Sequence, residues 1–369
     1  MHKKRHIALH GAVYGENFGD VLISQILADH VRKATEADVF FPFGRKAFAN
    51  VSKEQTGRIW KLAFAKTAIM GPGGYFGERR HDQAAWNKRF QFYHGGFFRL
   101  VKLLRRPLIL HGIGVGPLSD PISRELARRI FDYAGLINVR DQKSKDYVLG
   151  LGISEQKVNI FPDVALTLKR ENVTSKKMTF ETGPQDTSSK KVIGLHLPLP
   201  ETLSADVFEN IVNQVRDLIS SQPELRFVIL KDGPRQIIHP DMVNVIQGSD
   251  RSEDKPYTNP KGLLNDIAHC DAVVTTKLHV GICAAALGVA PISLYSHPKV
   301  QRFFQDIGRD EFCQDIMTAP PGWLGTRFEL DRVFADSQFL DQVDVLRNAS
   351  QQGLATLTAH IESAAGTAR

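Results

Sequence analysis

The stretch Ile7-Ala8-Leu9-His10-Gly11-Ala12-Val13-Tyr14-Gly15-Glu16-Asn17-Phe18-Gly19-Asp20-Val21 carries the reading of the fold. An apolar run over residues 7–11 breaks at glycine, a polar loop over 14–20 follows, and over 21–32 the apolar residues recur at helical spacing. Asp20 is placed to cap that helix, while Asn17 and Gly19 suit the turn before it. The loop's amides and the helix N-terminus can also receive an anion or a sugar hydroxyl. Strand, glycine turn and helix open a βαβ unit, and the same order repeats along the chain. Further strands are expected at 67–70, 108–113, 135–139 and 158–161, then at 192–197, 226–230, 242–246, 272–275 and 291–295. Their apolar runs are continuous rather than alternating, which suits strands covered on both faces. Helical patterns at 123–133, 205–220 and 260–269 supply the covers.

At 369 residues the chain has room for about two domains of roughly 150 residues. An apolar share of 42% excludes a disordered chain. Composition sets the expected boundaries: a first Rossmann-like domain over 1–168, a polar linker over 169–191, a second Rossmann-like domain over 192–330, and a helical segment with a frayed tail over 331–369. Both halves open alike, with Ala8-Leu9-His10-Gly11 and Gly194-Leu195-His196-Leu197. The expected fold is α/β, two Rossmann-like domains facing a cleft.

The formal charge of +7 is unevenly shared, with 28 Lys and Arg against 15 Asp and Glu in residues 1–170, and 19 against 25 in the rest. The basic first half suits nucleic acid, an anionic membrane surface or a phosphorylated substrate, and charge alone leaves these open. No apolar run approaches the roughly 18 residues of a membrane-crossing helix. The start, Met1-His2-Lys3-Lys4-Arg5-His6, runs into a strand rather than a signal-peptide core, so a cytoplasmic protein is expected. Cys270, Cys283 and Cys313 are odd in number and lack C-x-x-C spacing, which argues for buried small hydrophobes rather than disulfides or a zinc cage.

Four glycines in seven residues mark Gly71-Pro72-Gly73-Gly74-Tyr75-Phe76-Gly77, where backbone can approach a ligand closely. The loop fits neither a Walker motif nor G-x-G-x-x-G, which weighs against NTPase and NAD chemistry. A third glycine turn, Gly114-Val115-Gly116-Pro117, follows the strand over 108–113. Three such turns after three strands line one edge of a sheet, where open α/β folds hold ligands. Arg140, in Val139-Arg140-Asp141-Gln142-Lys143-Ser144, ends a strand and starts a helix. Its guanidinium can fork onto a carboxylate or phosphate, or pair with Asp141 or Asp163. In the second half, Thr275-Thr276-Lys277-Leu278-His279 turns from strand into a small-residue helix. Lys277 and His279 then stand at its positive end, able to hold an anion and move a proton.

No H-E-x-x-H and no ligand ladder among the thirteen histidines supports a metal site, and no G-x-S-x-G elbow supports a serine hydrolase. Group transfer onto a bound acceptor is what remains. Residues 88–106 hold aromatics, leucines and six cations at partly helical spacing. They form either an ordinary amphipathic helix on the sheet or an interfacial surface for an anionic membrane or lipid-linked substrate. Nucleic acid is not an expected partner, because no reader module accompanies the charge.

Taken in order, Asn17-Phe18-Gly19-Asp20, the loop over 71–77, Gly112-Ile113-Gly114-Val115-Gly116-Pro117, Val139-Arg140-Asp141, Phe161-Pro162-Asp163-Val164-Ala165, Lys277-Leu278-His279 and Tyr295-Ser296-His297-Pro298-Lys299 resemble the polysaccharide pyruvyltransferase family. The resemblance spans roughly residues 7–308. It implies a GT-B-like architecture and transfer of a pyruvate ketal from phosphoenolpyruvate to a sugar of a polysaccharide, such as an exopolysaccharide of the cell envelope, or of its lipid-linked precursor, with release of phosphate. It implies donor binding by Arg140, Lys277 and Leu278, with Lys277 standing where the family's triplet has Arg, a point charge in place of a bidentate fork. His279 is then the expected proton donor, with Asn17, Asp20, Gly73, Gly74 and Tyr75 on the acceptor side. No metal or redox cofactor is required, and phosphoenolpyruvate is a co-substrate. The expected location is the cytoplasm, with peripheral contact to the inner membrane face through residues 88–106. A GT-B nucleotide-sugar glycosyltransferase shares the architecture and is the first alternative. A non-catalytic basic protein that binds membrane or nucleic acid is the second.

Overall fold

The computed structural model describes residues 5–78, 82–173, 190–199, 203–234, 236, 238–248, 251–330 and 332–366. The chain forms two compact units, Met1–Val164 with Arg347–Arg369, and Ala165–Leu346. Each is built on a parallel sheet.

In the first unit the strands are β1 (His6–His10), β2 (Asp38–Phe40), β3 (Ala65–Met70), β4 (Gly73–Phe76), β5 (Leu108–Val115), β6 (Leu136–Val139) and β7 (Val158–Ile160). They lie in the order β2-β1-β3-β5-β6-β7, with β4 paired beside β5. The second unit holds β8 (Val192–His196), β9 (Arg226–Ile229), β10 (Ser252–Asp254), β11 (Ala272–Thr275), β12 (Ala290–Tyr295) and β13 (Cys313–Asp315), in the order β10-β9-β8-β11-β12-β13. This is the doubly wound Rossmann order, whose strand sequence reverses between β8 and β11. In the first sheet the reversal falls between β1 and β3. Every residue of β5 and of β12 is buried, as continuous apolar runs under two helical layers require.

Capping chemistry sets the helix starts. Asp120 accepts from Ser123 N (2.7 Å) ahead of Pro121, Asp141 from Ser144 N (2.7 Å), and Asn259 from Gly262 N (3.0 Å) ahead of Pro260. The first helix begins at Phe18 rather than Val21. Asn17 is therefore its cap, accepting from Asp20 N (3.2 Å), and Asp20 lies in the first turn, where its charge faces the helix's positive end. The strand expected at 242–246 is instead part of a helix, Pro240–Gln247. Pro240 presets the first turn, the His239 ring accepts from Asp241 N, and Met242 and Ile246, four residues apart, are buried on one face. The edge strand of this region is the polar β10, which carries no apolar signal.

β5 runs on through Val115, so Gly114 and Val115 are strand residues rather than the start of a following turn, and residues 73–76 form a short strand rather than open loop. Composition placed the domain boundaries at 168/169 and 330/331, while the two units divide at 164/165 and 346/347. The helix Ser337–Gly366 thus begins in the second unit and ends in the first. There its Ser350 hydroxyl donates to the Asp163 carbonyl (3.2 Å), and Thr358 pairs with His30 (2.9 Å). Most of the expected linker, residues 174–189, and the tail 367–369 lie outside the described residues. Arg309, wholly buried, donates to the carbonyls of Pro291, Arg332 and Val333 and so ties the stretch before the last helix to β12. Burial lowers its pKa to about 10. Cys270 and Cys283 are buried, and none of the three cysteines is in a disulfide. Among the described residues no helix is long and apolar enough to cross a membrane.

Candidate active site

At the carboxyl end of β6 the Arg140 amide donates to Ile113 O (3.1 Å), and the side chain lies against β5 over Gly114. A Cβ at Gly114 would stand 2.7 Å from Nε and Nη2 and 2.8 Å from Cζ, so only glycine leaves room for this guanidinium. Gly74 borders the same group, with its Cβ position 3.6 Å from Nη2. Asp141 Oδ2 and Asp163 Oδ2 flank it at 3.9 Å each, close enough to balance charge and too far to hydrogen-bond. The side chain is 10% exposed. Packing therefore fixes the planar fork while its donors stay usable by a bidentate anion. The Ser144 hydroxyl accepts from Val115 N (2.9 Å), which anchors the helix Gln142–Gly150, begun at Asp141, to β5.

Glycine-rich backbone from three strands meets in this unit. A Cβ at Gly11, after β1, would lie 3.5 Å from Pro72 O, and one at Gly112 would lie 3.0 Å from Pro72 Cβ. Of the loop residues selected from sequence, Gly74 is exposed beside Arg140, and Asn17 is exposed at its helix cap. Gly73 is buried with φ +140°. Tyr75 turns into the core: its hydroxyl donates to Gly71 O (2.8 Å) and its ring stacks on His94 with centroids 4.3 Å apart. Beneath it His10, the last residue of β1, pairs with His94 through Nε2 and Nδ1 (2.9 Å) and stacks on Phe97 (4.4 Å). Burial pushes His94 down to about 3 and His10 well below the usual imidazole range, so the pair is neutral at neutral pH. Nothing in the sequence announces this pair, whose members lie 84 residues apart.

In the second unit, Lys277 is the N-cap residue of the helix Leu278–Ala286. Its amide donates to Thr275 Oγ1 (3.0 Å), and its own side chain makes no capping hydrogen bond. The positive end of the helix dipole therefore lies beside Lys277. The helix is apolar and buried almost throughout, Leu278 included, so its start cannot swing away from the strand. Lys277 is exposed and His279 half-buried. At the adjoining strand end His196, wholly buried and the last residue of β8, pairs with Thr275 Oγ1 through Nδ1 (2.9 Å), while its Nε2 stands 3.6 Å from Asp232 Oδ1. Burial pushes the Asp232 carboxyl up, but His196 and the Lys277 charge outweigh it and hold it below the ordinary carboxylate value. Strands β8 and β11 flank the order reversal, where open α/β sheets take their ligands. His196, Thr275 and Asp232 were not among the residues selected from sequence. The signal that could have found His196 is the Leu-His pair closing the first strand of each half.

The profile of the polysaccharide pyruvyl transferase family matches residues 17–298, or 282 of the 369. The chain belongs to this family. The matched span of this pyruvyl transferase contains Arg140, Lys277 and His279, and leaves out His10 and the terminal helix. No curated protein matches it. Among solved structures, Staphylococcus aureus MnaA with UDP shares 13% identity at a TM-score of 0.62, over 98% of this chain and 96% of that one. The UDP-GlcNAc 2-epimerase of Neisseria meningitidis bound to UDP-GlcNAc shares 11% at 0.59, over 96% and 99%. The glycotransferase of kitacinnamycin shares 13% at 0.57, over 98% and 99%. Identities this low speak to fold alone: the pyruvyl transferase is of the GT-B type, with two Rossmann-like α/β domains.

Proposed function

We propose that this pyruvyl transferase forms a pyruvate ketal on a saccharide, free or lipid-linked, with phosphoenolpyruvate as donor and phosphate as the leaving product. The observation that carries the reading is the Arg140 guanidinium, held against Gly114 with its flanking carboxylates beyond hydrogen-bond reach. The donor presents a carboxylate and a phosphate on one small carbon frame. Arg140 and Lys277, with the positive end of the helix that begins at Leu278, supply the matching positive charge.

His279 gives a proton to the methylene carbon of the donor, and the neighbouring carbon becomes oxocarbenium-like. One sugar hydroxyl attacks that carbon and forms the first C–O bond. A second hydroxyl forms the other C–O bond as the bond to phosphate breaks. Of the two hydroxyl protons, one restores His279 and one leaves with hydrogen phosphate. Asn17, Asp20 and Gly74 hold the diol, while Gly73 and Tyr75 shape the loop that carries Gly74. The scheme requires neither metal nor redox cofactor. We place the reaction in the cytoplasm, where the donor is made, ahead of polymer export.

Four of the structural neighbours are complexes with UDP or a UDP-sugar, which favours a nucleotide-sugar glycosyltransferase as the second reading. Thermal-shift titration separates the two. Stabilisation by phosphoenolpyruvate, followed by donor-dependent phosphate release and a ketal methyl signal in the NMR spectrum of the product, is expected. Stabilisation by UDP-sugars alone, with no phosphate release across a panel of saccharides, overturns the reading.

A further inference from the structure

We propose that the flank of the first unit formed by the helices Gly95–Leu103 and Pro121–Tyr133 docks onto an anionic lipid bilayer. The helices touch at Gly95, where a Cβ would lie 2.7 Å from Leu126 Cδ2. They also border a groove of about 690 Å³. Its apolar lining includes Phe98, Leu103, Ile122 and Leu126, of which Leu103 is 76% and Ile122 66% exposed. On the second helix Ile122, Leu126 and Arg129 fall at helical spacing on one face, and on the first Arg99, Lys102 and Leu103 do the same.

The groove's rim is cationic. Arg99, Lys102 and Arg129 line it, and its one carboxylate, Glu125, is already paired with Arg128 and Arg129 at 2.8 Å each. Apolar exposure continues along the same flank. Phe92, 82% exposed, follows Gln91, which lines the groove. Arg106, beyond Leu103, donates to the Ala63 carbonyl next to the exposed Phe64, which packs edge-on against the exposed Trp60. Among the described residues, six of the nine large apolar side chains left in water belong to this basic unit.

Long cationic side chains around protruding aliphatic and aromatic groups are the pattern of interfacial binding: stems lie along the apolar surface and heads meet lipid phosphates. Nucleic acid would neutralise the rim and leave Leu103 and Ile122 in water. None of these residues serves the donor or the acceptor diol in the reaction proposed above, so the surface does not depend on that reading.

Sedimentation of the full chain with vesicles tests the proposal. Vesicles of mixed phosphatidylglycerol and phosphatidylcholine are expected to bind it, phosphatidylcholine alone to bind it at least about tenfold less, and added salt to weaken the binding. Leu103→Ser with Ile122→Ser should reduce binding about tenfold with the melting temperature unchanged, because both side chains are exposed. Arg99→Gln with Lys102→Gln should remove most of the preference for anionic lipid. The proposal is overturned if anionic vesicles fail to bind, or if both variants bind as wild type. It is equally overturned if the apolar pair instead abolishes self-association in sedimentation equilibrium, which assigns the face to a second copy, or if duplex DNA binds through the same cations with undiminished affinity in the apolar pair.

Discussion

The first strand of each unit ends in a wholly buried histidine, His10 on β1 and His196 on β8, and the two do different things. His10 is surrounded by rings, paired with His94 and stacked on Phe97, with no carboxylate among its partners. His196 sits between a threonine hydroxyl and Asp232, whose charge survives burial with the help of His196 and Lys277. One position in the Rossmann plan thus serves as neutral packing in one unit and as part of a charged strand edge in the other. What differs is the partner that the next strands bring, and a buried imidazole takes its role from that partner.

The two strand ends should differ most in activity. If the charged edge moves the proton, His279→Ala should lower kcat about 100-fold to 10,000-fold with a small change in KM for phosphoenolpyruvate, read by phosphate release. Retention of near wild-type kcat would remove His279 from the chemistry. The neutral edge should instead register in stability: His10→Ala empties a packed ring site and is expected to cost about 2–4 kcal/mol in denaturant unfolding. A cost below about 1 kcal/mol would show that the ring cluster is dispensable.

The first unit also carries Arg140, which sharpens the contrast because it is charged but positioned by glycine. Arg140→Ala should raise KM for phosphoenolpyruvate about 10-fold to 100-fold, in line with the loss of charged hydrogen bonds. Gly114→Ala, which leaves the arginine present but displaces it, should raise KM in the same direction by less. An unchanged KM in both variants would mean that the donor binds elsewhere.

The two strand ends should also differ in their response to pH. His94, and His111, which is buried in β5 beside the Asn138 amide (3.1 Å), titrate at about 3 in the folded unit, and His10 well below the ordinary value of about 6.5, in each case chiefly because burial penalises the charge. Between those values the unfolded chain binds more protons. Their contribution to stability is therefore fully present above about pH 6.5 and falls as pH drops, by about 1.4 kcal/mol per pH unit for His111 alone. Asp232, held below its usual value, contributes above the carboxylate range and loses that contribution only as pH falls through its lowered pKa. Hydrogen exchange at pH 5 against pH 7, corrected for intrinsic rates, should show β1 and β5 opening more than β8 and β11. Equal opening would erase the distinction between the two edges.

Much of the plan was legible because it is written locally. Continuous Val, Ile and Leu runs announced buried parallel strands, and Arg140, Lys277 and His279 could be placed at strand ends by counting from those runs. Local pattern does not separate the two at residues 242–246, where short apolar spacing fits strand and helix alike and Pro240 decides for the helix. It also missed β10, whose Ser-Glu-Asp earns its place from the neighbouring strand rather than from its own side chains.

The alternation of strand and helix, the two-part organisation and the chemical types available at the strand ends were determined by the sequence alone, because periodicity, glycine breaks and capping residues act within about ten residues of chain. The tertiary structure decided which of those groups meet: Arg140 over Gly114 and beside Gly74, His10 against His94, His196 against Asp232, and Tyr75 turned inward. Those pairings depend on strand order and register, and on the requirement that each buried polar group find a partner, and both are properties of the assembled sheet rather than of any segment within it.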